Sequence, residues 1–249
     1  MIFITGDTHG DYDRFAPEVF PGQAALTKED YVIICGDFGL WHDFPNERAH
    51  LDWLDGLPFT TLFIDGNHEN YDRLNAFPVE NWHGGKIHRI RPSILHLMRG
   101  QMFDLGGKRF FTLGGAACHD VQDGILDPEA PDYYERVNML DLMGRHRCRV
   151  IGKSWWAAEL PSDAEYQTAR ETLDRCGWQA DYIITHCAPS AINNKMREGD
   201  YPPNRLTDFL EDMRQRCTFD FWFFGHYHSN ASIGGQHICL YEQIIELPE

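Results

Sequence analysis

The sequence predicts an α/β fold, because short apolar runs rich in strand-forming residues alternate with segments of helical periodicity. Such alternation favours a largely parallel sheet covered by helices. Two further apolar runs flank Gly106-Gly107, which is typical of a tight hairpin, so antiparallel strands are expected as well. The composition does not divide the 249 residues into unlike halves, and we expect a single domain over residues 1–249.

The predicted strands of the parallel core are short, and each stops abruptly at a polar residue that usually follows a glycine. They are Ile2 to Thr5, Tyr31 to Cys35, Thr61 to Ile64, Tyr182 to Thr185 and Phe221 to Phe224. The hairpin strands are Met102 to Leu105 and Arg109 to Leu113, and the run His237 to Ile245 is expected to add more strand.

Helices are predicted from Pro45 to Leu57, from Ser162 to Arg175 and from Asn204 to Arg216. The second has the clearest start, because Ser162 and Glu165 have the spacing of a capping box. Residues 120–161 mix prolines, acidic residues and a basic run, and are expected to be an insertion or cap segment. The basic run, residues 145–149, is expected to be a solvated face unless the segment folds over a site, where it could bind phosphate.

Composition limits the classes of partner. The formal net charge of −16 argues against extended nucleic acid as the main ligand, whereas a small phosphorylated substrate or a phosphopeptide remains compatible. The seven cysteines include no C-x-x-C pair, and reduced thiols are expected. The sequence shows neither a signal peptide nor a run long enough for a membrane span, so we expect a cytoplasmic protein without a membrane partner. The oligomeric state is not predicted.

Potential metal ligands follow five of the predicted strands, at the edge where the carboxyl ends of parallel strands meet. They are Asp7, His9, Asp37, Asn67, His186, His226 and His228. Carboxylate and imidazole together suit borderline divalent ions, with manganese expected first and iron, zinc, nickel or cobalt as alternatives. Seven ligands are too many for one ion, and two ions about 3.5–4 Å apart need a shared carboxylate, for which Asp37 is the natural choice.

These residues resemble the five signature blocks of the calcineurin-like metallophosphoesterase family, in the family's order. The blocks read Asp7-x-His9, Gly36-Asp37, Gly66-Asn67-His68-Glu69, His186 and Gly225-His226-x-His228. The resemblance implies a four-layer α/β/β/α sandwich of two mixed sheets, with a dinuclear centre at the strand C-terminal edge. It also implies that Asp7, His9, Asp37 and His228 hold one ion, that Asp37, Asn67, His186 and His226 hold the other, and that His68 is the general acid.

The expected reaction is hydrolysis of a phosphomonoester or phosphodiester by a water or hydroxide that bridges two cations, with His68 protonating the leaving group. The alternative is a non-catalytic, metal-binding interaction scaffold on the same fold. In protein-phosphatase members of the family that this sequence resembles, a block with an arginine follows the bridging aspartate. That arginine is absent here. His42 or Asp43 is a possible substitute near the site, and His119, which follows another predicted strand, is a second candidate for substrate binding.

Overall fold

The computed structural model describes residues 1–40, 46–196 and 202–248, and these residues form two large mixed sheets, one small sheet and six α-helices. The strands are β1 (Ile2–Thr5), β2 (Tyr31–Ile34), β3 (Thr60–Phe63), β4 (Val79–Trp82), β5 (Gly85–Arg91), β6 (Ile94–Leu97), β7 (Gln101–Leu105), β8 (Lys108–Leu113), β9 (Gly124–Leu126), β10 (Cys148–Val150), β11 (Tyr182–Thr185), β12 (Phe221–Phe224), β13 (Ala231–Ile233), β14 (His237–Cys239) and β15 (Ile244–Glu246). The helices are α1 (Glu47–Asp55), α2 (Tyr71–Asn75), α3 (Tyr133–Leu142), α4 (Asp163–Arg175), α5 (Ser190–Met196) and α6 (Arg205–Arg216).

The first sheet has the strand order β15-β1-β2-β3-β6-β5-β4, and the second has the order β13-β14-β12-β11-β8-β7. Parallel pairing joins β1, β2, β3 and β6 in the first sheet and β8, β11, β12 and β14 in the second. The hairpin predicted around Gly106-Gly107 pairs β7 with β8 in antiparallel register. Both large sheets are therefore mixed, as the sequence predicted.

The two sheets pack face to face, and helices cover both outer faces. Alternate residues of each strand divide between layers: Ile33 of β2 joins the central apolar cluster, whereas Val32 and Ile34 join the cluster on the outer face. In the second sheet Ile184 faces the centre and Ile183 faces the outer helices. Residues of α1 and α2 pack on the first sheet, and residues of α4, α5 and α6 pack on the second. This arrangement is the expected α/β/β/α sandwich.

Local signals explain where the long helices begin. The Ser162 side chain accepts a hydrogen bond from the Glu165 N–H, and the Glu165 side chain accepts one from the Ser162 N–H, so the predicted capping box starts α4. Asn204 caps α6 by accepting bonds from the backbone of Leu206 and Thr207. The start of the first predicted helix, Pro45, lies outside the described residues, and α1 is described from Glu47.

The C-terminal run does not form one strand. Its first part, β14, joins the second sheet beside β12, and its last part, β15, pairs with β1 in the first sheet. The chain crosses between the sheets at Tyr241, whose carbonyl accepts a hydrogen bond from the Gly6 N–H. The ring of Tyr241 also stacks on His228 with the centroids 4.6 Å apart. The crossing thus ties both sheets together beside the predicted ligands.

Residues 120–161 form a local substructure that lies, along the chain, between β8 and β11 of the second sheet. Strands β9 and β10 make a separate two-stranded parallel sheet, and α3 lies between them in the chain. The segment contacts the rest of the chain at Trp156, whose Nε1 donates to Asp72 Oδ2 at 2.8 Å, and at Ala158, whose carbonyl oxygen accepts from Arg99 at 2.8 Å. In the described part of the chain, no helix has the length and apolar composition that crossing a membrane requires.

Candidate metal centre

The predicted ligands lie together at the C-terminal edge of the two sheets, in the loops that follow β1, β2, β3, β11 and β12. One group, Asp7, His9 and His228, places its ligand atoms within 4.8 Å of one another, and so does a second, Asp7, Asp37 and His186. Three different strands thus contribute to the second group. The convergence expected from parallel strands is present in this geometry.

The first group is half open to solvent. The Nε2 atoms of His9 and His228 are 3.0 Å apart, and His228 Nε2 is 3.3 Å from Asp7 Oδ2. His9 Nε2 is also 3.7 Å from Asp37 Oδ2, so Asp37 lies within reach of this group. The hydrogen bond to Asp7, aided by its charge, raises the pKa of His228. Two imidazoles and two carboxylates form the nitrogen and oxygen donor set that a borderline divalent cation prefers.

The second group is buried. His186 Nε2 is 3.3 Å from Asp37 Oδ2 and 3.3 Å from Asn67 Oδ1, and the His186 side chain has no exposed surface. The other ring nitrogen, Nδ1, is 2.8 Å from the carbonyl oxygen of Cys35, which can only accept, so Nδ1 carries the proton. The Nε2 lone pair of neutral His186 then points toward two oxygen acceptors. The His186 Nε2 lone pair, Asp37 Oδ2 and Asn67 Oδ1 are all acceptors, so they cannot hydrogen-bond to one another. A cation between them would satisfy all three.

Electrostatics at His186 and Asp37 show the same demand for positive charge. Burial acts to lower the pKa of His186, but the carboxylates of Asp37 and Asp7 outweigh it and raise the pKa to about 10. Burial acts to raise the pKa of Asp37, but His186, His68 and His9 lower it well below its usual value. In the metal-free protein, a proton on His186 thus offsets the negative charge of Asp37 and Asp7. A divalent cation would take over that role.

The ring of His226 lies 5.0 Å from that of His186, centroid to centroid, which brings the seventh predicted ligand to the second group. Burial, followed by the charge of His186, lowers the pKa of His226 well below its usual value, which favours the neutral, metal-binding form. Asp7 belongs to both groups, and Asp37 Oδ2 reaches both as well. The sequence had singled out Asp37 alone as the bridge, whereas the geometry offers two central carboxylates.

Glycines before the ligands let the ligand loops approach one another. A Cβ on Gly66 would lie 2.0 Å from Asp37 Oδ1, and a Cβ on Gly225 would lie 2.0 Å from Asp7 Oδ1. The next residues use this proximity: the His68 N–H donates to Asp37 Oδ1 at 2.8 Å, and the His226 N–H donates to Asp7 Oδ1 at 2.9 Å. Each of these glycines thus leaves space for a carboxylate from another strand, and the following N–H group orients that carboxylate.

Backbone strain is concentrated at the same place. Four of the predicted ligands have positive φ angles although none is glycine, with values of 48° for His9, 48° for Asp37, 69° for His226 and 46° for His228. Residues other than glycine rarely adopt a positive φ angle, and those that do cluster at functional sites. The surrounding structure therefore enforces the ligand positions at some cost in conformational energy.

Two residues that the sequence analysis did not assign support the ligand loops. Glu69 is fully buried and its carboxylate accepts hydrogen bonds from the N–H groups of Phe38 at 2.6 Å and Leu40 at 3.1 Å, so it fixes the loop after Asp37. Arg14 donates to the Asp7 carbonyl oxygen at 2.7 Å and fixes the loop after β1. Glu69 completes the Gly66-Asn67-His68 block, which was a usable signal, whereas nothing local pointed to Arg14.

His68, the predicted general acid, lies beside the ligands. Its ring is 5.2 Å from that of His9, centroid to centroid, with the planes at 75°. Burial is the main cause that lowers the pKa of His68 to about 4; Asp37 opposes this, and His9 and Arg149 add to it. His68 is therefore neutral near pH 7 in the free protein, and an anionic phosphate beside it would favour its protonation.

The two tentative substrate-binding residues have different outcomes. The ring of His119 lies 5.3 Å from that of His226, so His119 does reach the edge where the ligands meet. Its role in binding substrate stays a prediction. His42 and Asp43 lie outside the described residues. Residues 38–40, the part of the loop after Asp37 that the structure describes, supply no cation, because Phe38 and Leu40 are apolar and buried and the residue between them is glycine.

A family model described as calcineurin-like phosphoesterase matches residues 1–230. Lariat debranching enzyme A of Xenopus laevis is 24% identical over 149 residues, which cover 53% of this chain and 26% of that protein. The lariat debranching enzyme of Drosophila pseudoobscura pseudoobscura is 26% identical over 151 residues, covering 54% and 26%. The matched part thus spans about a quarter of each relative. A crystal structure of a protein of unknown function from Aquifex aeolicus aligns over 88% of both chains, with 16% identity and a TM-score of 0.32.

Proposed function

Because the family model covers most of its length, this chain belongs to the calcineurin-like phosphoesterase family, and we propose that it hydrolyses phosphate esters with two divalent cations, manganese first. The observation that carries the proposal is the buried convergence of Asp37, Asn67 and His186 beside the open group of Asp7, His9 and His228. The proposed substrate is a small phosphorylated molecule or a phosphopeptide, as a monoester or a diester.

Each side chain has a definite task in this proposal. When bound, two divalent cations supply Lewis-acid chemistry, polarising the phosphoryl oxygens and lowering the pKa of the attacking water. Asp7 and Asp37, which reach both ligand groups, would help to hold the cations, and the N–H groups of His226 and His68 keep the two carboxylates oriented. His68 protonates the oxygen of the leaving group, an effect typically worth about 10² to 10⁴ in rate.

The first experiment measures hydrolysis of p-nitrophenyl phosphate and bis-p-nitrophenyl phosphate by protein loaded with manganese or nickel. Turnover of either ester is expected, and the ratio of the two rates gives the preference for monoester or diester. Protein that binds two equivalents of metal and hydrolyses neither ester would instead support the interaction scaffold on the same fold. Metal content is measured by elemental analysis of the same sample.

The second experiment tests the acid role of His68 with the variant His68→Ala. The expected loss is at least about 100-fold on phenyl phosphate, a poor leaving group, and clearly smaller on p-nitrophenyl phosphate, which needs less help from an acid. The bound metal should be unchanged, and His146→Ala, at a side chain that is 70% exposed in the cap segment, is the matched control. Equal losses on both esters would contradict proton donation by His68.

The activity named for the two relatives suggests a second candidate substrate, a lariat. The net charge of −16 weighs against a long nucleic acid, because backbone binding relies on lysine and arginine. To test this second candidate, a short branched RNA is assayed beside the two nitrophenyl esters. Faster cleavage of the branched RNA would favour the second candidate. We also propose a reducing compartment, the cytoplasm, which is supported by the odd number of cysteines, seven, and by the lack of a C-x-x-C pair in the sequence.

A further inference from the structure

The basic run of the cap segment does not behave as a uniform solvated face. Arg145 and Arg147 have side chains that are 57% and 64% exposed, whereas Arg149, on β10, is 21% exposed. Nη2 of Arg149 donates to Asp120 Oδ2 at 2.6 Å, and Arg147 approaches the same aspartate only at 3.9 Å. Arg149 is thus the arginine of this run that the fold turns inward and fixes.

Arg149 lies against the loop that carries His119. Its guanidinium contacts both Asp120 and the thiol of the buried Cys118, the two neighbours of His119 in the chain. The ring of His119 in turn lies 5.3 Å from that of the predicted ligand His226. The charge of Arg149 also acts to lower the pKa of His68. Through Asp120, the residue after His119, Arg149 is bound to the loop that reaches the buried ligand group.

The chemistry of the site leaves a place for such a group. Two cations contact at most part of a phosphate, whose remaining oxygens carry negative charge in an acidic protein. A guanidinium has five N–H donors in a rigid plane that matches the spacing of phosphoryl oxygens. The salt bridge to Asp120 fixes the orientation of that plane, and the described loop after Asp37 provides only the apolar Phe38 and Leu40.

We propose that Arg149 binds a non-bridging oxygen of the substrate's phosphate, so that the cap segment delivers the phosphate-binding arginine from a different part of the chain than the loop after Asp37. This inference rests on the proposed function and adds a binding residue to it. A competing role is purely structural, in which Arg149 only ties β10 to Asp120. The two roles differ in their effect on phosphate affinity.

The test measures binding of inorganic phosphate to the manganese-loaded protein by calorimetry, together with KM and kcat for the better nitrophenyl ester. Arg149→Gln should weaken phosphate binding and raise KM by about 10- to 100-fold, the usual range for a hydrogen bond to a charged group, with a smaller effect on kcat. Arg149→Lys keeps the charge but loses the planar fork, and is expected to give a several-fold loss. The matched control, Arg147→Gln, removes a charge from the same run and should stay within about twofold of the wild type.

The outcomes separate the inference from the proposed function. Wild-type protein that binds phosphate but hydrolyses neither ester defeats the proposed function alone. Phosphate affinity within twofold of wild type in both Arg149 variants, each with normal metal content and thermal unfolding, defeats the inference alone. Equal losses in Arg149→Gln and Arg147→Gln would mean that general charge, and not a specific contact, attracts the phosphate, and would overturn the proposal as well.

Discussion

Two buried aspartates follow neighbouring strands, and their surroundings are opposite. Asp65, after β3, and Asp37, after β2, are each only 1% exposed. Asp65 is paired with Arg99, whose Nε lies 2.8 Å from Asp65 Oδ2, and it also accepts from the Tyr71 hydroxyl at 3.0 Å. Asp37 faces the imidazole of His186 at 3.3 Å. The fold supplies Asp65 with a permanent cation, whereas the neighbours of Asp37 are imidazoles that we propose as further metal ligands.

This difference teaches that burial of a carboxylate does not identify a metal site, and that its neighbours do. Burial acts to raise the pKa of Asp65, but Arg99 and His96 lower it well below the usual range, so Asp65 stays charged within its own ion pair. The pair also contacts the loop of the candidate site, because the Tyr71 hydroxyl shares its proton between Asp65 and the Gly66 carbonyl oxygen, directly before Asn67. Asp65 is therefore a structural anion, whereas we propose a functional role for Asp37, and their variants should fail in different ways.

The largest effect is expected for Asp37→Asn, which should lower turnover at least about a thousandfold while the protein stays folded. The reason is that, in the proposed function, this carboxylate would help to hold both cations, and bound divalent metal lowers the pKa of water from 15.7 toward about 7. Steady-state kinetics and elemental analysis measure the change. Asp52→Asn, at a side chain that is 61% exposed, should leave both unaltered. Full activity in Asp37→Asn would remove the distinction between the two aspartates.

The opposite failure is expected for Arg99→Leu, which leaves Asp65 buried without its cation and should destabilise the fold by about 3–5 kcal/mol. Urea denaturation measures the free energy of unfolding. Arg89→Gln is the control, because Arg89 and its partner Glu80 are 34% and 38% exposed and the pair is worth at most about 1 kcal/mol. A loss below about 1 kcal/mol in Arg99→Leu would show that Asp65 does not depend on this cation.

The Asp65 pair also shows what sequence could and could not predict. The convergence of side chains around Asp37 was predictable because each follows an apolar run, and such runs place their ends at one edge of a sheet. Asp65 also follows such a run, yet its partner Arg99 lies 34 positions further along the chain. Local sequence patterns do not show which distant residues the order of the strands brings together. The same reason hid Arg149, since only tertiary structure turns one arginine of the basic run inward.

The fold divides in the same way. Strands such as Tyr182–Thr185 and the start of α4 were predicted because an apolar run or a capping box is a local signal. The split of residues 237–245 between two sheets was not, because alternation of side chains does not say which sheet a strand joins. Local patterns thus predicted most of the elements and which side chains meet at the sheet edge, whereas the pairing of distant strands and side chains depends on tertiary structure.

A third prediction concerns the free energy that a metal contributes to the ligand site around Asp37. Manganese at 100 times its dissociation constant should stabilise the protein by about 2.7 kcal/mol. For a chain of this size that corresponds to a rise of about 5–10 °C in the unfolding temperature. Thermal unfolding with and without manganese measures it, and EDTA should reverse it. Asp37→Asn should abolish the rise, and a rise that survives that substitution would place the metal elsewhere.

The smallest effect is expected at a third buried carboxylate, Glu159, which forms no salt bridge within the described residues and is not one of the predicted ligands, although the charge of Arg149 acts to lower its pKa. Glu159 is 2% exposed, its Oε1 has no hydrogen-bond partner within the described ranges, and burial is the main cause that raises its pKa to about 8. Since the pKa of an unfolded glutamate is about 4.3, the folded state holds this proton more tightly. The resulting stability is complete below about pH 4.3 and is lost as the pH rises through 8.

We therefore expect the free energy of unfolding to fall between pH 5 and pH 8 by about 1–3 kcal/mol more in the wild type than in Glu159→Gln, measured by urea denaturation in EDTA. Glu211→Gln is the matched control, because hydrogen bonds from Arg214 lower the pKa of Glu211 to about 2 in the folded protein. Glu211 is therefore ionised throughout this window in both the folded and the unfolded protein. The slope of this control should equal that of the wild type. If Glu159→Gln also keeps the wild-type slope, Glu159 is ionised in the folded protein and must have a cationic partner, as Asp65 does.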